Sequence, residues 1–200
     1  IKKDLNSVFL KRLAYDEIFA NLLFLSESRN KIKKVKKIKK EFNKIYSSKL
    51  LKSLPFELTG SQKKVINEIQ VDLRSSQRMY RILQGDVGSG KTIVSVMAGL
   101  DVIESGFQAS LMAPTEILAQ QHFVLLGKLI QDSKLKINIA ILTGKTDKQK
   151  RKQILKDLKS NKIQFLIGTH ALFQKTIEFN ALGLVVIDEQ HKFGVNQRKK

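Results

Sequence analysis

The segment Gly85-Asp86-Val87-Gly88-Ser89-Gly90-Lys91-Thr92 meets the spacing G-x-x-x-x-G-K-[ST] at every fixed position. Residues of these types at this spacing grip a nucleoside triphosphate. The glycines let backbone N–H groups turn inward onto phosphate oxygens, Lys91 has the length to reach the β and γ oxygens, and the Thr92 hydroxyl can ligate Mg²⁺. A second run, Leu182 to Glu189, ends an apolar stretch in two carboxylates. Asp188 is the candidate Mg²⁺ ligand, partly through water, and Glu189 the candidate base that orients and deprotonates an attacking water. Two acids at the end of a strand can also merely cap the next helix, but beside a phosphate loop the metal reading is the stronger one.

Upstream, Thr59 and Gln62 have the spacing of a helix capping box. The Gln62 amide carries a donor and an acceptor side by side, which also suits the edge of an adenine, with Phe56 stacked on the ring. The residues alone leave both readings open. Of the three histidines, His122 reads as an ordinary residue of an amphipathic helix. His170 follows a strand end, where a functional role and a satisfied loop residue are equally open. His191, three residues past Asp188, belongs on the catalytic rim. None has partners at metal-ligand spacing, so no zinc site is expected.

These residues need a frame that brings the ends of several strands together. From Leu54 onward, short β-branched runs alternate with amphipathic stretches, the pattern of β-α-β units and a mostly parallel sheet with helices on both faces. The strands are expected at 79–84, 109–113, 137–142, 163–167 and 182–187, each apolar on both faces. The helices between them begin near Thr59, Lys91, Thr115, Thr146 and Thr169. In such sheets ligands collect beyond the carboxyl ends of the strands, which is where the Gly85 loop falls.

Residues 1–52 have a different texture. They hold fifteen basic and five acidic residues, a net +10 of the chain's +19. We expect a basic helical lead-in there, followed by an ATP-binding domain over 53–200. Apolar residues from Leu5 to Leu23 fall mostly at helical spacing, and Ile32, Val35, Ile38, Phe42 and Ile45 predict a second helix over 31–51. Lysines such as Lys33, Lys36 and Lys40 could lie along a phosphate backbone, or simply form a solvated face. Thirty of the 37 basic residues are Lys, a skew that AT-rich coding alone would produce, so charge by itself does not establish a nucleic-acid partner. The absence of cysteine suits a reducing, cytoplasmic setting. No apolar run approaches the roughly eighteen residues a membrane span needs. The start at Ile1 and the end at Lys200 suggest a piece of a longer protein.

The phrases LPFELTGSQ, GDVGSGKT, MAPTEILAQQH, LTG, IGTHALFQ and DEQHKFGV occur in this order between Leu54 and Arg198. Together they closely resemble the first helicase domain of superfamily 2, and within it the RecG family of bacterial branched-DNA helicases. The phrase RLAYDEIFANLL resembles the piece that follows the wedge domain of that family. The resemblance implies a RecA-like P-loop domain, ATP as the nucleotide read by Gln62 and Phe56, and a DEAH-like box at Asp188, Glu189, Gln190 and His191 that couples hydrolysis to movement. It also implies that Pro114, Thr115 and Glu116, then Thr143 and Gly144, then Thr169 and His170, line a nucleic-acid track.

The activity implied is ATP-driven, 3′-to-5′ translocation on branched or double-stranded DNA by a monomer, in repair and recombination. The motor of the transcription-repair coupling factor is a close alternative. That family usually has Glu where this chain has Gln190 and Phe where it has Ser89, so the RecG family fits better. A third reading is a module that binds ATP and DNA without turnover, since helicase hydrolysis usually draws an arginine finger from a second domain.

Overall fold

The computed structural model describes residues 9, 12–13, 15–20, 22–23, 26–27, 37–174 and 176–189, with the side chain of Phe173 excepted. The chain divides into two compact units, Ile1–Lys39 with Ser75–Ile82, and Lys40–Arg74 with Leu83–Lys200. In the first unit the described residues between 9 and 27 are all helical. Phe9, Leu13, Ile18, Phe19, Leu22 and Leu23 are exposed there.

The second unit carries a four-stranded parallel sheet. Its elements in chain order are α1 (Ile45–Ser53), α2 (Gly60–Arg74), α3 (Lys91–Glu104), β1 (Gln108–Met112), α4 (Glu116–Asp132), β2 (Ile139–Leu142), α5 (Lys148–Lys159), β3 (Phe165–Gly168), a 3₁₀ turn (His170–Phe173) and β4 (Leu182–Ile187). The strand order is β2-β3-β1-β4, and every pairing is parallel. Long connections that carry α4 and α5 are what parallel neighbours require. The central strands β1 and β3 are buried at every residue. The outer strands β2 and β4 are only partly covered, so the expectation of two buried faces holds for the middle of the sheet and not for its margins.

Packing explains the order of the layers. Val94, Val96, Met97, Leu100, Val102 and Ile103 bury one long apolar helix, α3, against the sheet. Gly99 lets that helix approach closely, because an added Cβ would fall on the Phe165 ring. Thr115 caps α4 by accepting from the Leu118 N–H at 3.2 Å, and Asp147 caps α5 through Gln149 and Lys150. Both caps sit just beyond a strand end. They turn the chain back along the sheet and leave the strand termini open.

Three expected elements differ, the first being the helix expected to begin near Thr169, which is only the four-residue 3₁₀ turn His170–Phe173. Residues 78–84 form no ladder, and among the described residues β4 pairs only with β1. A strand exists only where a neighbour takes its N–H and C=O groups; here Tyr80 and Ile82 stand 63% and 59% exposed.

The helix expected over 31–51 starts only at Ile45, and residues 31–36 lie outside the described set. The Lys40 N–H donates to Leu73 O at 3.1 Å, so backbone groups that a helix would use internally go to α2. Phe42 is buried with the Arg74 guanidinium 4.3 Å from its ring centre, while Ile38 is exposed. The apolar stripe is therefore not one face. Leu50 and Ser47 of α1 are buried in the second unit, which begins at Lys40, ahead of the boundary expected at 52/53. Lys40 is only 4% exposed, with its ammonium 3.8 Å from the centre of the Phe107 ring. That removes it from a solvated, phosphate-facing row.

Candidate nucleotide site and neighbouring track

Glycine conformation shapes the loop between residues 85 and 92. Gly88 and Gly90 have φ of 82° and 78°, values that side-chain-bearing residues rarely adopt, and Gly90 directly precedes α3. The helix N-terminus therefore points its free N–H groups at the loop, the usual arrangement for an anion. The Lys91 ammonium donates to Gly85 O at 2.7 Å and Asp86 O at 2.8 Å. Phosphate oxygens would compete for the same three protons. Gly85 through Ser89 are exposed, Val87 almost fully, while Lys91 and Thr92 are half-buried.

Both readings of Gln62 meet in one side chain. Its Oε1 accepts from the Thr59 N–H at 2.9 Å, and its own N–H donates to Thr59 Oγ1 at 3.2 Å, completing the capping box. Its Nε2 donates to Ser89 O at 2.8 Å. The amide is thus spent on the α2 cap and on the phosphate loop, and an adenine would have to displace one of these partners. Phe56 is 54% exposed and available for stacking.

Asp188 follows β4 directly. Its N–H donates to Met112 O at 2.8 Å, extending the β1–β4 ladder to the sheet's carboxyl edge. Its Oδ1 accepts from the Glu189 N–H at 3.0 Å, and its Oδ2 lies 2.9 Å from His122 Nε2 on α4. The His122 bond is the main cause that holds the Asp188 carboxyl below the ordinary carboxylate value, against partial burial, and the Lys91 charge adds to it. An ionised carboxylate only accepts, so Nε2 of His122 is the donor. Glu189 has φ of 49°, a left-handed backbone costing a non-glycine residue about 1–3 kcal/mol, of the kind found where a side chain must be aimed. Gln190 and His191 lie outside the described residues.

Thr92 and Asp188 supply a hydroxyl and a carboxylate, hard oxygen donors that suit Mg²⁺. Among the described residues no group of three or more His, Cys, Asp or Glu could hold a metal by itself. Mg²⁺ is commonly held in just this way, by one or two protein oxygens with phosphates and water completing the shell. The donor set fits the ion.

Two of the three segments implied for the nucleic-acid track are tied together. Glu116, in the first turn of α4, accepts from the Lys145 N–H at 3.2 Å and pairs with the Lys145 ammonium at 3.2 Å. The Lys145 hydrogen bond holds the Glu116 carboxyl below its ordinary value. Thr143 donates its N–H to Thr146 Oγ1 at 2.9 Å, which bends the loop over Gly144. An open groove of about 800 Å³ runs beside this knot, lined by Glu116, Gln120, Val124, Lys128, Thr143 and Lys145 among others. Thr115 is exposed at the α4 cap, next to a half-buried Pro114.

The third segment is different. Thr169 is 1% exposed, and its hydroxyl is buried with no hydrogen-bond partner among the described residues, so it presents nothing to a nucleic acid here. A strand that ends one residue earlier, at Gly168, leaves Thr169 beneath the 3₁₀ turn. His170 is exposed.

His122 corrects the expectation of an ordinary helix residue. Its partner is 66 positions away, so spacing could not reveal it. The available clue was the parallel order itself, which sets the helix after β1 beside the end of β4.

The DEAD/DEAH box helicase family matches residues 59–200. The ATP-dependent DNA helicase RecG of Aquifex aeolicus (strain VF5) is 45% identical over 192 residues, covering 96% of this chain and 24% of that protein. The protein of the same name from Bacillus subtilis (strain 168) is 44% identical over 191 residues, covering 95% and 28%. A solved structure of RecG bound to a three-way DNA junction superimposes with a TM-score of 0.84 at 43% identity, over 92% of this chain and 25% of that one. The chain spans about a quarter of the length of the relatives it matches.

Proposed function

This chain belongs to the DEAD/DEAH box helicase family, and we propose that it is the ATP-binding first motor domain of a RecG-type helicase acting on branched DNA. The observation that carries this reading is convergence. Asp188 stands at the carboxyl edge of the sheet, its N–H donating to Met112 O at 2.8 Å, and the Gly85 loop opens α3, which packs on β1 and β4 of the same sheet. A triphosphate grip and a metal carboxylate on this one sheet are what support the reading.

The chemistry follows from that pairing. Loop N–H groups and the α3 N-terminus hold the phosphates, and Lys91 leaves its two loop carbonyls to pair with the β and γ oxygens. Mg²⁺, held by Thr92 and Asp188, would supply neutralisation of charge developing on those oxygens. Glu189 accepts the proton of the attacking water, and its aimed backbone fixes where that water stands. Phe56 stacks on adenine while Gln62 ties base recognition to the loop. His191 completes the rim, with Gln190 beside it. Thr115, Thr143, Gly144 and His170 face the DNA strand, holding phosphates without reading sequence, while Glu116 lines the same track and braces it through Lys145.

The polarity we assign is 3′-to-5′, and the setting cytoplasmic DNA repair and recombination by a monomer. The names of the relatives and the junction-bound structure support ATP-driven work on branched DNA, and the polarity, setting and monomeric state follow from the family resemblance. Alone, these 200 residues bind ATP with little turnover, because an arginine finger from a facing domain is worth about 10³ to 10⁵ in rate in related enzymes. Steady-state ATP hydrolysis with and without forked DNA tests this. DNA-stimulated turnover of about 1 to 1000 per second would refute it.

A further inference from the structure

We infer that His122 is a positioning residue for the metal-binding carboxylate, a strut from α4 that sets the rotamer of Asp188. The inference rests on the nucleotide-site reading above. Asp188 has one oxygen, Oδ1, held by the neighbouring backbone N–H of Glu189 at 3.0 Å, and the other, Oδ2, held only by the His122 ring at 2.9 Å among the interactions described. The first bond is local and travels with the Asp188 backbone. The second reaches across 66 positions to a different element and fixes the remaining side-chain freedom.

The geometry is that of an outer-shell partner. His122 is nearly covered, with a side chain 12% exposed, while the Asp188 side chain is 29% exposed. The ring is nearly covered while the carboxylate keeps the greater exposure. An imidazole N–H on a ligating carboxylate fixes its orientation and leaves the other lone pairs for the ion and its water. Water in place of the ring would not hold that orientation.

The position of His122 on α4 gives the strut a second consequence. Thr115 caps this helix and Glu116 opens it, tied to the Lys145 loop. His122 lies seven positions beyond the cap, about 10 Å along a rigid helix. One body thus carries both the proposed DNA edge and the brace on the metal carboxylate.

The test uses the full chain, AMP-PNP as the nucleotide and Mn²⁺ as the metal probe. Affinity for AMP-PNP is measured in Mn²⁺ and again in EDTA, and the ratio is the gain due to metal. His122→Ala is expected to cut that gain by about tenfold or more while leaving the EDTA affinity unchanged, a split that a general loss of structure would not give. His122→Gln, whose amide N–H takes the place of Nε2, is expected to restore most of it.

A gain in His122→Ala within about twofold of the unaltered chain would overturn the inference. Should that variant fail to fold, the imidazole ¹⁵N resonance of His122 in the unaltered chain decides. A shift on adding Mg²⁺ to the AMP-PNP complex is expected, and an unmoved resonance overturns the strut. An unaltered chain that binds no AMP-PNP removes the nucleotide-site reading itself, and the strut with it.

Discussion

Gln62 donates from Nε2 to the carbonyl of Ser89 at 2.8 Å, so the start of α2 and the phosphate loop are joined by one side chain. The same amide caps α2 through its oxygen. Gly90 reinforces the contact, because any Cβ there would strike Gln62 Nε2. The α2 cap and the 85–92 loop are thereby mechanically one unit.

Gln62→Glu separates the two roles. Glutamate keeps the acceptor that the capping box uses, and loses the donor to Ser89 while setting a negative charge beside a carbonyl. Melting temperature should stay near that of the unaltered chain, and ATP affinity should fall about tenfold, the effect of one charge-affected hydrogen bond. Isothermal titration checks it; unchanged affinity would mean the Ser89 contact is incidental.

Gly99→Ala tests the packing of α3 on the sheet. Helix propensity favours alanine by about 1 kcal/mol. Against that, the new methyl meets the ring of Phe165, which is fully buried, and overpacking costs about 1–3 kcal/mol. Net destabilisation of about 1 kcal/mol in urea unfolding is expected. A stabilised variant would show that α3 can move off the sheet freely.

Asp101 is fully buried on α3, with Oδ2 accepting from Gln70 Nε2 at 2.7 Å and Oδ1 without a hydrogen-bond partner among the described residues. Burial pushes its pKa up. Between the unfolded value of about 3.9 and the raised native value, the folded chain keeps a proton that the unfolded chain has lost. Stability therefore falls as pH rises through that window. Asp101→Asn should flatten this part of the pH profile of urea unfolding, and an unchanged slope would contradict it.

How far these features can be read in the sequence depends on where their causes lie. The phosphate loop and β4 are legible because glycine spacing and an apolar run ending in acids are local signals. The capping box at Thr59 and Gln62 is equally local. Residues 79–84 look like a strand by composition, but a strand needs a neighbour, and composition does not name one. Ile38 and Phe42 have helical spacing, yet the Lys40 N–H bonds to α2 and tertiary structure wins. The same competition put Thr169 under the 3₁₀ turn. His122 was hidden because its meaning resides wholly in Asp188, 66 positions away.

Equilibrium binding of ATP in Mg²⁺ to the chain and to Lys91→Ala tests the nucleotide site most directly. Loss of the ammonium that reaches the phosphates should weaken ATP by about tenfold or more, with affinity for forked DNA left unchanged. Equal ATP affinity in the two proteins would contradict a phosphate grip at the Gly85 loop, and with it a motor domain built on that loop.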